Sequence, residues 1–408
     1  MFDQIARVLV VVENAYVDPT SRDRLVEGAI QGMVAELDPH SAYMSREDYA
    51  DFRSDTDGRF GGIGVEVDFR EDAVTVIAPI DGSPASRAGI KSGDKIVAID
   101  GKPTRGASPD KLVRLMRGEA GTKVHIDILR AGATDLIGID LVREVVEVAS
   151  VEGKRLDRDV AYIRLKQFQT GSHDELLEAI GQSRAASKTP LRAMILDLRN
   201  DPGGLVEEAE GIADEFLDGG VIYTTRHRGK VVDEVRASGG GAFTELPVVV
   251  LMNEYSASSS ELVAGALRDN GRATVIGARS FGKGSVQTIF DLPDGAGMRL
   301  TTMRYYTPSG RTIQAEGIQP DIWVRMEGAD DKVVYRESNL EGHLAGEPVP
   351  AAPSAQSVVV APKGDEPYGR VSTMSTDPTQ GKDFTVAEAW RRLTASKAAL
   401  EFAPTPRP

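Results

Sequence analysis

Val248-Val249-Val250-Leu251-Met252-Asn253-Glu254-Tyr255-Ser256-Ala257-Ser258-Ser259-Ser260-Glu261 is the stretch on which the fold turns. Its first five residues are all apolar, the pattern of a strand covered on both faces. The small and polar residues that follow hand over to a helix expected across 258–270. Ser258 with Glu261 three residues later has the form of a capping box, which satisfies free N–H groups at a helix start. The same placement sets a side chain at the positive end of a helix, where N–H groups can receive an oxyanion.

Outward from this stretch, the chain alternates strands and helices. Strands are expected at 160–165, 192–198, 273–276 and 285–292, with a helix at 173–183. That alternation predicts an α/β domain, a mostly buried sheet with helices on its faces. Arg199-Asn200-Asp201-Pro202-Gly203-Gly204 ends the 192–198 strand and offers more backbone N–H groups at the same sheet edge. Phe281-Gly282-Lys283-Gly284 holds a lysine between glycines rather than on a solvated face.

The histidines are His40, His125, His173, His227 and His343. None lies in these segments, and each reads as a surface or turn residue, so a Ser–His–Asp triad is not expected. A lysine replaces histidine as the base when burial lowers its pKa from about 10.4 towards neutrality. A nucleotide-binding loop is the rival reading of residues 277–283. It fails because Gly284 stands where a magnesium-binding Ser or Thr is required, and a strand rather than a helix follows.

Upstream, residues 58–147 change character, with strands at 73–77 and 123–129 and a helix at 110–117. Gly61-Gly62-Ile63-Gly64-Val65 can turn several N–H groups towards one point, a nest able to hold a peptide's terminal carboxylate. The adjoining strand edge can pair with the peptide backbone. Residues 1–57 read as amphipathic helices, built on Ile5, Val8, Leu9 and Val12 and then on Leu25, Ala29, Met33 and Leu37. Packing on the body and a dimerisation arm are both open to them. The segment 341–408 reads as a Pro/Ala-rich linker with a helix at 386–400.

Composition bounds the rest. A net charge of −14 argues against sequence-independent nucleic-acid binding and against adhesion to an anionic membrane. The absence of cysteine excludes disulfides and thiolate chemistry. The apolar run 8–12 is too short, and too closely bracketed by charges, for a signal-peptide core or a membrane span.

Ser83-Pro84-Ala85-Ser86-Arg87-Ala88-Gly89-Ile90-Lys91-Ser92-Gly93-Asp94 followed by Ile96-Val97-Ala98-Ile99-Asp100-Gly101 resembles a PDZ domain of the bacterial protease type. The serine-rich stretch, Phe281-Gly282-Lys283-Gly284-Ser285-Val286-Gln287 and the 199–204 segment together resemble the carboxyl-terminal processing protease family. That resemblance implies a multi-domain α/β fold: N-terminal helices (1–57), an inserted PDZ domain (58–147), a crotonase-like protease core (148–340) and the 341–408 tail. It implies Ser258 as nucleophile, Lys283 as general base and Gln287 as the residue that orients the lysine. The oxyanion hole would use the N–H groups of Ser259 and Gly204, with Gly203 as second choice.

Gly62, Ile63, Gly64 and Val65 would bind the peptide carboxylate, and Arg117 would be a regulatory link from the PDZ domain. Asp269 is either a supporting residue or a helix-end partner of Arg268 or Arg272. The alanine usual after the nucleophile is Ser259 here, a change that keeps the backbone donor. The expected partners are proteins or peptides with free C-termini, further copies of the chain through the terminal helices, and an adaptor protein. No metal, cofactor or nucleic acid is expected. The resemblance places the protein in the periplasm or cell envelope, with the export segment absent from this chain. A non-catalytic PDZ adaptor is the alternative function.

Overall fold

The computed structural model describes residues 2–70, 73–133, 135–326, 335–347, 357–361, 379 and 383–395. They form two compact units, one of residues 51–149 and one of the remainder.

The larger unit is built on a seven-stranded sheet. Its order is Val151–Leu156, Val160–Leu165, Ala193–Asp197, Val248–Met252, Ala273–Gly277, Ile322–Met326 and Ser357–Ala361. The first pair is antiparallel and every later pair is parallel. Successive strand residues point to opposite faces, so an unbroken apolar strand feeds two cores. Met194, Leu196, Val250 and Met252 join the helices Ser172–Ala185, Val206–Asp214 and Ser259–Asp269 on one face. Ala193, Ile195, Val249 and Leu251 meet Val386, Ala389 and Trp390 of the helix Phe384–Thr394 on the other.

That last helix is expected at 386–400, and its part beyond 395 lies outside the described residues. It docks back on the body, with Asp383 at its start taking two hydrogen bonds from Arg199 and Trp390 Nε1 donating to the Asp157 carbonyl. Its apolar face is therefore occupied within the unit. The Ser357–Ala361 strand corrects the linker expectation for 341–408. Val358-Val359-Val360 is a β-branched run that finds an open parallel edge beside Ile322–Met326.

A second, antiparallel sheet joins Ala42–Met44, Gly297–Tyr306, Val221–His227 and Lys230–Arg236, with Ser285–Asp291 also paired to Gly297–Tyr306. In that last ladder Gln287 lies opposite Thr301. The helix Phe2–Ala15 buries no side chain, and Arg22–Ala35 buries only Val34. Val8, Val10 and Val11 consequently stay exposed. Among the described residues no helix is long and apolar enough to cross a membrane.

The smaller unit is a six-stranded antiparallel sheet: Val65–Arg70, Ala73–Pro79, Lys95–Ile99, Lys123–Leu129 and Ile137–Val142, with Lys102–Pro103 on the side of Lys95–Ile99. Pro84–Arg87 and Pro109–Met116 are its helices, each started by a serine whose hydroxyl accepts a main-chain N–H. Ile63, Val74, Ile96, Leu112 and Ile126 form its core.

Candidate active site

Ser258 sits at φ 54°, ψ −115°, immediately before the helix Ser259–Asp269. A residue that only caps a helix has extended backbone angles, and a non-glycine residue at positive φ persists only when its surroundings impose it. The Asp201 carbonyl accepts from Ala257 N–H (2.9 Å) and from Ser260 Oγ (3.0 Å). The Ser256 carbonyl accepts from Phe281 N–H (3.0 Å), and Ser256 Oγ donates to the Leu198 carbonyl (2.8 Å). Thus the loop before the helix is pinned to both neighbouring strand ends.

Glu261 does more than the capping reading expects. Its carboxylate, fully buried, accepts from Ser258 N–H at 2.8 Å and from Lys283 N–H at 2.9 Å on the same oxygen, Oε2. Oε1 accepts from Ser280 Oγ at 2.5 Å and from Gly282 N–H at 2.8 Å. The Ser258 hydroxyl faces the Glu261 N–H without reaching a hydrogen bond of normal geometry, so only Glu261's half of the box is firm. Burial pushes the Glu261 pKa up to about 7, against the pull of the four donors.

The lysine of the glycine loop is buried. Desolvation lowers its pKa below the ordinary lysine value, with Arg299 adding to the effect and Glu337, Glu261 and Asp38 opposing it. No ion pair engages Lys283 among the described residues. Gln287, on the following strand, donates from Nε2 to Thr301 Oγ1 (2.9 Å) and to Ser285 Oγ (3.2 Å). Its Oε1 is buried without a partner.

Two main-chain donors next to Ser258 are free of acceptors among the described residues: the N–H groups of Ser259 and Gly204. The Gly203 N–H is already committed to Asp201 Oδ1 at 2.8 Å, which sets Gly204 ahead of Gly203 as an anion donor. A side chain at Gly203 (φ 95°) would place its Cβ 2.8 Å from both Ser258 Cβ and Ser259 N. Only glycine permits that approach. Ser259 contributes its hydroxyl as well, donating to the Gly204 carbonyl at 2.9 Å and tying this strand end to the first helical turn. Beneath them Asp201 is buried, its Oδ2 has no partner, and burial pushes its pKa up to about 8.

The histidines stay out of this constellation. His40 is a turn residue, as expected, and its Nε2 lies 2.8 Å from the fully buried Glu337. His125 bonds Asp140, His173 bonds Glu215, and His227 and His343 bond main-chain carbonyls. Asp269 hydrogen-bonds Arg268 and Ser309, the behaviour of a helix-end residue. A strand, Ser285–Asp291, does follow Gly284, so the nucleotide-loop reading finds no helix to complete it.

Gly62, Ile63, Gly64, Val65 and Arg117 lie in the smaller unit. Gly64 (φ 74°) packs against Ser83, whose hydroxyl donates to the Gly64 carbonyl at 2.9 Å. No acceptor takes the Ile63 and Gly64 N–H groups among the described residues. Arg117 pairs with Asp55 at 2.7 Å and stacks on Phe60. The structure thus brings Ser258, Ser259, Gly203, Gly204 and Lys283 together around Glu261. The sequence reading missed the roles of Glu261, Asp201, Asp38 and Thr301, because each also makes contacts with residues distant in sequence.

A serine held in a strained turn, a buried lysine of lowered basicity and a pair of free N–H donors are the parts of an acyl-transfer site. With the α/β core and the separate small unit, they define a peptidase that carries a peptide-binding domain. The comparisons agree with that class. Residues 159–324 match peptidase family S41, 75–130 match the PDZ domain, and 1–48 match the N-terminal domain of the activating protease CtpB. A carboxy-terminal-processing protease of Bartonella bacilliformis is 40% identical over 99% of this chain and 92% of its own length. A Staphylococcus aureus protein named "Probable CtpA-like serine protease" is 36% identical over 79% of this chain, which spans 64% of that relative. Among solved structures, a photosystem II D1 C-terminal processing protease is 29% identical, covering 78% of this chain and 92% of its own, at a TM-score of 0.49. The chain belongs to the carboxy-terminal-processing protease family.

Proposed function

We propose that this protein is a serine endopeptidase that cuts protein substrates near their C-termini with a Ser258–Lys283 dyad. The observation that carries the reading is the shared carboxylate of Glu261, which holds the main chain of both residues at one point beside a buried lysine. Neutral Lys283 accepts the Ser258 Oγ proton as the oxygen attacks the scissile carbonyl. The developing oxyanion is received by the N–H groups of Ser259 and Gly204. Collapse expels the amine, which takes the proton from the lysine, and water then hydrolyses the ester with the same lysine as base. Gln287 presents Oε1 to the lysine amine.

The PDZ unit takes the substrate's C-terminus, its carboxylate received at Gly62, Ile63, Gly64 and Val65, and gates cleavage. The free Ile63 and Gly64 N–H groups support that role. Arg117 is the regulatory residue, its pairing with Asp55 changing when substrate arrives. The exposed valines of the helix Phe2–Ala15 support assembly with a second copy. An adaptor delivering substrate, and action in the periplasm or cell envelope, complete the reading.

The test is Ser258→Ala assayed on an unstructured protein. Loss of cleavage with retained binding of a C-terminal peptide is expected. Undiminished cleavage sinks the dyad, and peptide binding by a wild type that never cleaves favours an adaptor.

A further inference from the structure

Gln287 has an ambiguity that a side-chain amide always carries: either end can face a given partner, and only its hydrogen bonds decide which. Here the decision is made two residues away along a chain of hydrogen bonds. Nε2 of Gln287 donates to Thr301 Oγ1 at 2.9 Å, and Thr301 Oγ1 in turn lies 3.0 Å from Asp38 Oδ1.

A hydroxyl has one proton to give. An ionised carboxylate can only accept, so the Thr301 proton must go to Asp38. Thr301 Oγ1 is then an acceptor on its other side, and the end of Gln287 that meets it must be the NH2. A flipped amide would set two acceptors against each other. The consequence is that Oε1 of Gln287, which is buried, is the end left without a partner.

Asp38 is built to stay ionised. Burial pushes its pKa up, but hydrogen bonds from Ser41 Oγ (2.7 Å), His40 N–H (2.9 Å), Thr301 and Ser41 N–H (3.0 Å) hold it below the usual carboxylate range. The charged groups around this chain are Arg299, whose Nε donates to the His40 carbonyl, the paired His40 and Glu337, and Glu261 and Lys283 on the far side.

We propose that Asp38 and Thr301 are positioning residues for the peptidase reaction: the relay Asp38–Thr301–Gln287 fixes the amide so that Oε1, and not Nε2, is presented to the Lys283 amine. This rests on the Ser258–Lys283 reading. With Oε1 holding one amine N–H, the nitrogen lone pair is left to face Ser258. With Nε2 there instead, the amide would donate to that lone pair and draw it away from the serine. The turn Asp38-Pro39-His40-Ser41, in the region that reads as a packing or dimerisation arm, is on this view part of the catalytic apparatus.

Three variants of the full chain test it, each followed by kcat, KM and the pH dependence of kcat. Thr301→Val keeps the Asp38 charge and breaks the relay. Its kcat should fall about tenfold or more with KM unchanged, as for a base that is present but misdirected. The acid limb should also move to lower pH, because the ammonium has lost a fixed acceptor. Thr301→Ser keeps the hydroxyl and should restore kcat to within about twofold of wild type.

Asp38→Ala removes the acceptor, so the Thr301 proton is free to turn onto Gln287 and reverse the amide. It should lower kcat and shift the limb in the same direction. If Thr301→Val does not fold, the Asp38→Ala profile against Thr301→Ser carries the test. A kcat and limb unchanged in Thr301→Val or Asp38→Ala overturn the relay. So does a lowered melting temperature with the limb in place, which marks a structural role alone. Cleavage that survives Lys283→Ala overturns the dyad instead, and so separates the two failures.

Discussion

The main-chain N–H groups of Ser258 and Lys283 converge on a single oxygen, Oε2 of Glu261, at 2.8 and 2.9 Å. Residues from a helix start and from a glycine loop are thereby registered on one buried charge. The arrangement needs no contact between the two side chains to keep their backbones in place. It makes Glu261 a scaffold for Ser258 and Lys283 as well as a cap.

Glu261→Gln should therefore be far from conservative. All four donors already point at the two carboxylate oxygens, so an amide nitrogen must face N–H or O–H groups wherever it is put. A loss of about 3 kcal/mol is expected from leaving buried donors unmatched. Chemical denaturation measures it, and cleavage should fall in the fraction that remains folded.

The pH profile should report Lys283. Its pKa lies below the ordinary lysine value because of burial first and Arg299 second. Activity rises as the amine loses its proton, and below the limb kcat/KM should drop about tenfold per pH unit. Arg299→Gln removes a neighbouring positive charge, so the lysine holds its proton more tightly and the limb should move to higher pH. A limb that stays in place or moves down contradicts the assignment.

Asp201 gives a stability signature of its own. Its pKa is raised to about 8 in the folded protein, against about 3.9 in an unfolded chain. A carboxyl raised on folding contributes stability in full below about pH 4 and loses it as pH rises through its folded value. Asp201→Asn removes this titration and keeps an oxygen for the Gly203 N–H. The melting temperature of the variant relative to wild type should increase between pH 5 and pH 8.5, and a flat difference refutes the buried, titrating carboxyl.

Gly203→Ala tests the close packing beneath the proposed oxyanion donors. The added Cβ would meet Ala257 O at 2.7 Å and Ser258 Cβ at 2.8 Å, with φ at 95°. A fall in kcat of about 100-fold with a folded far-UV spectrum is expected, since such shifts misplace a donor by a fraction of an ångström.

In the PDZ unit, binding should depend on the terminal carboxylate of the peptide. Fluorescence anisotropy with a free-acid peptide and its C-terminal amide should show at least about tenfold weaker binding of the amide. Ser83→Ala, which removes one of the two hydrogen bonds to the Gly64 carbonyl, should weaken only the free-acid peptide.

Much of the fold was legible along the chain. Runs such as Val248–Met252 and Ala193–Asp197 are apolar at every position because both faces of their sheet are covered. The helix starting at Ser259 follows from the serine-rich turn and Glu261. Less legible were elements whose reason lies elsewhere. The Ser357–Ala361 strand sits in a Pro/Ala-rich surround and depends on the open edge of Ile322–Met326. His40 is the turn residue it looks like, but nothing local shows that its partner is Glu337.

The candidate site divides in the same way. Ser258, Lys283 and the glycines at 203 and 204 could be named from local motifs, because a strand end, a helix start and a glycine loop are each short-range signals, whereas Gln287 came from the family resemblance alone. By itself the sequence thus named the groups proposed to carry the chemistry and determined the fold class that holds them. Only the tertiary structure decided their states. Burial lowers the basicity of Lys283, the commitment of the Gly203 N–H to Asp201 leaves Gly204 free, and Asp38 reaches Gln287 through Thr301. Desolvation and hydrogen-bond direction are set by neighbours distant in sequence, and no local pattern of residues records them.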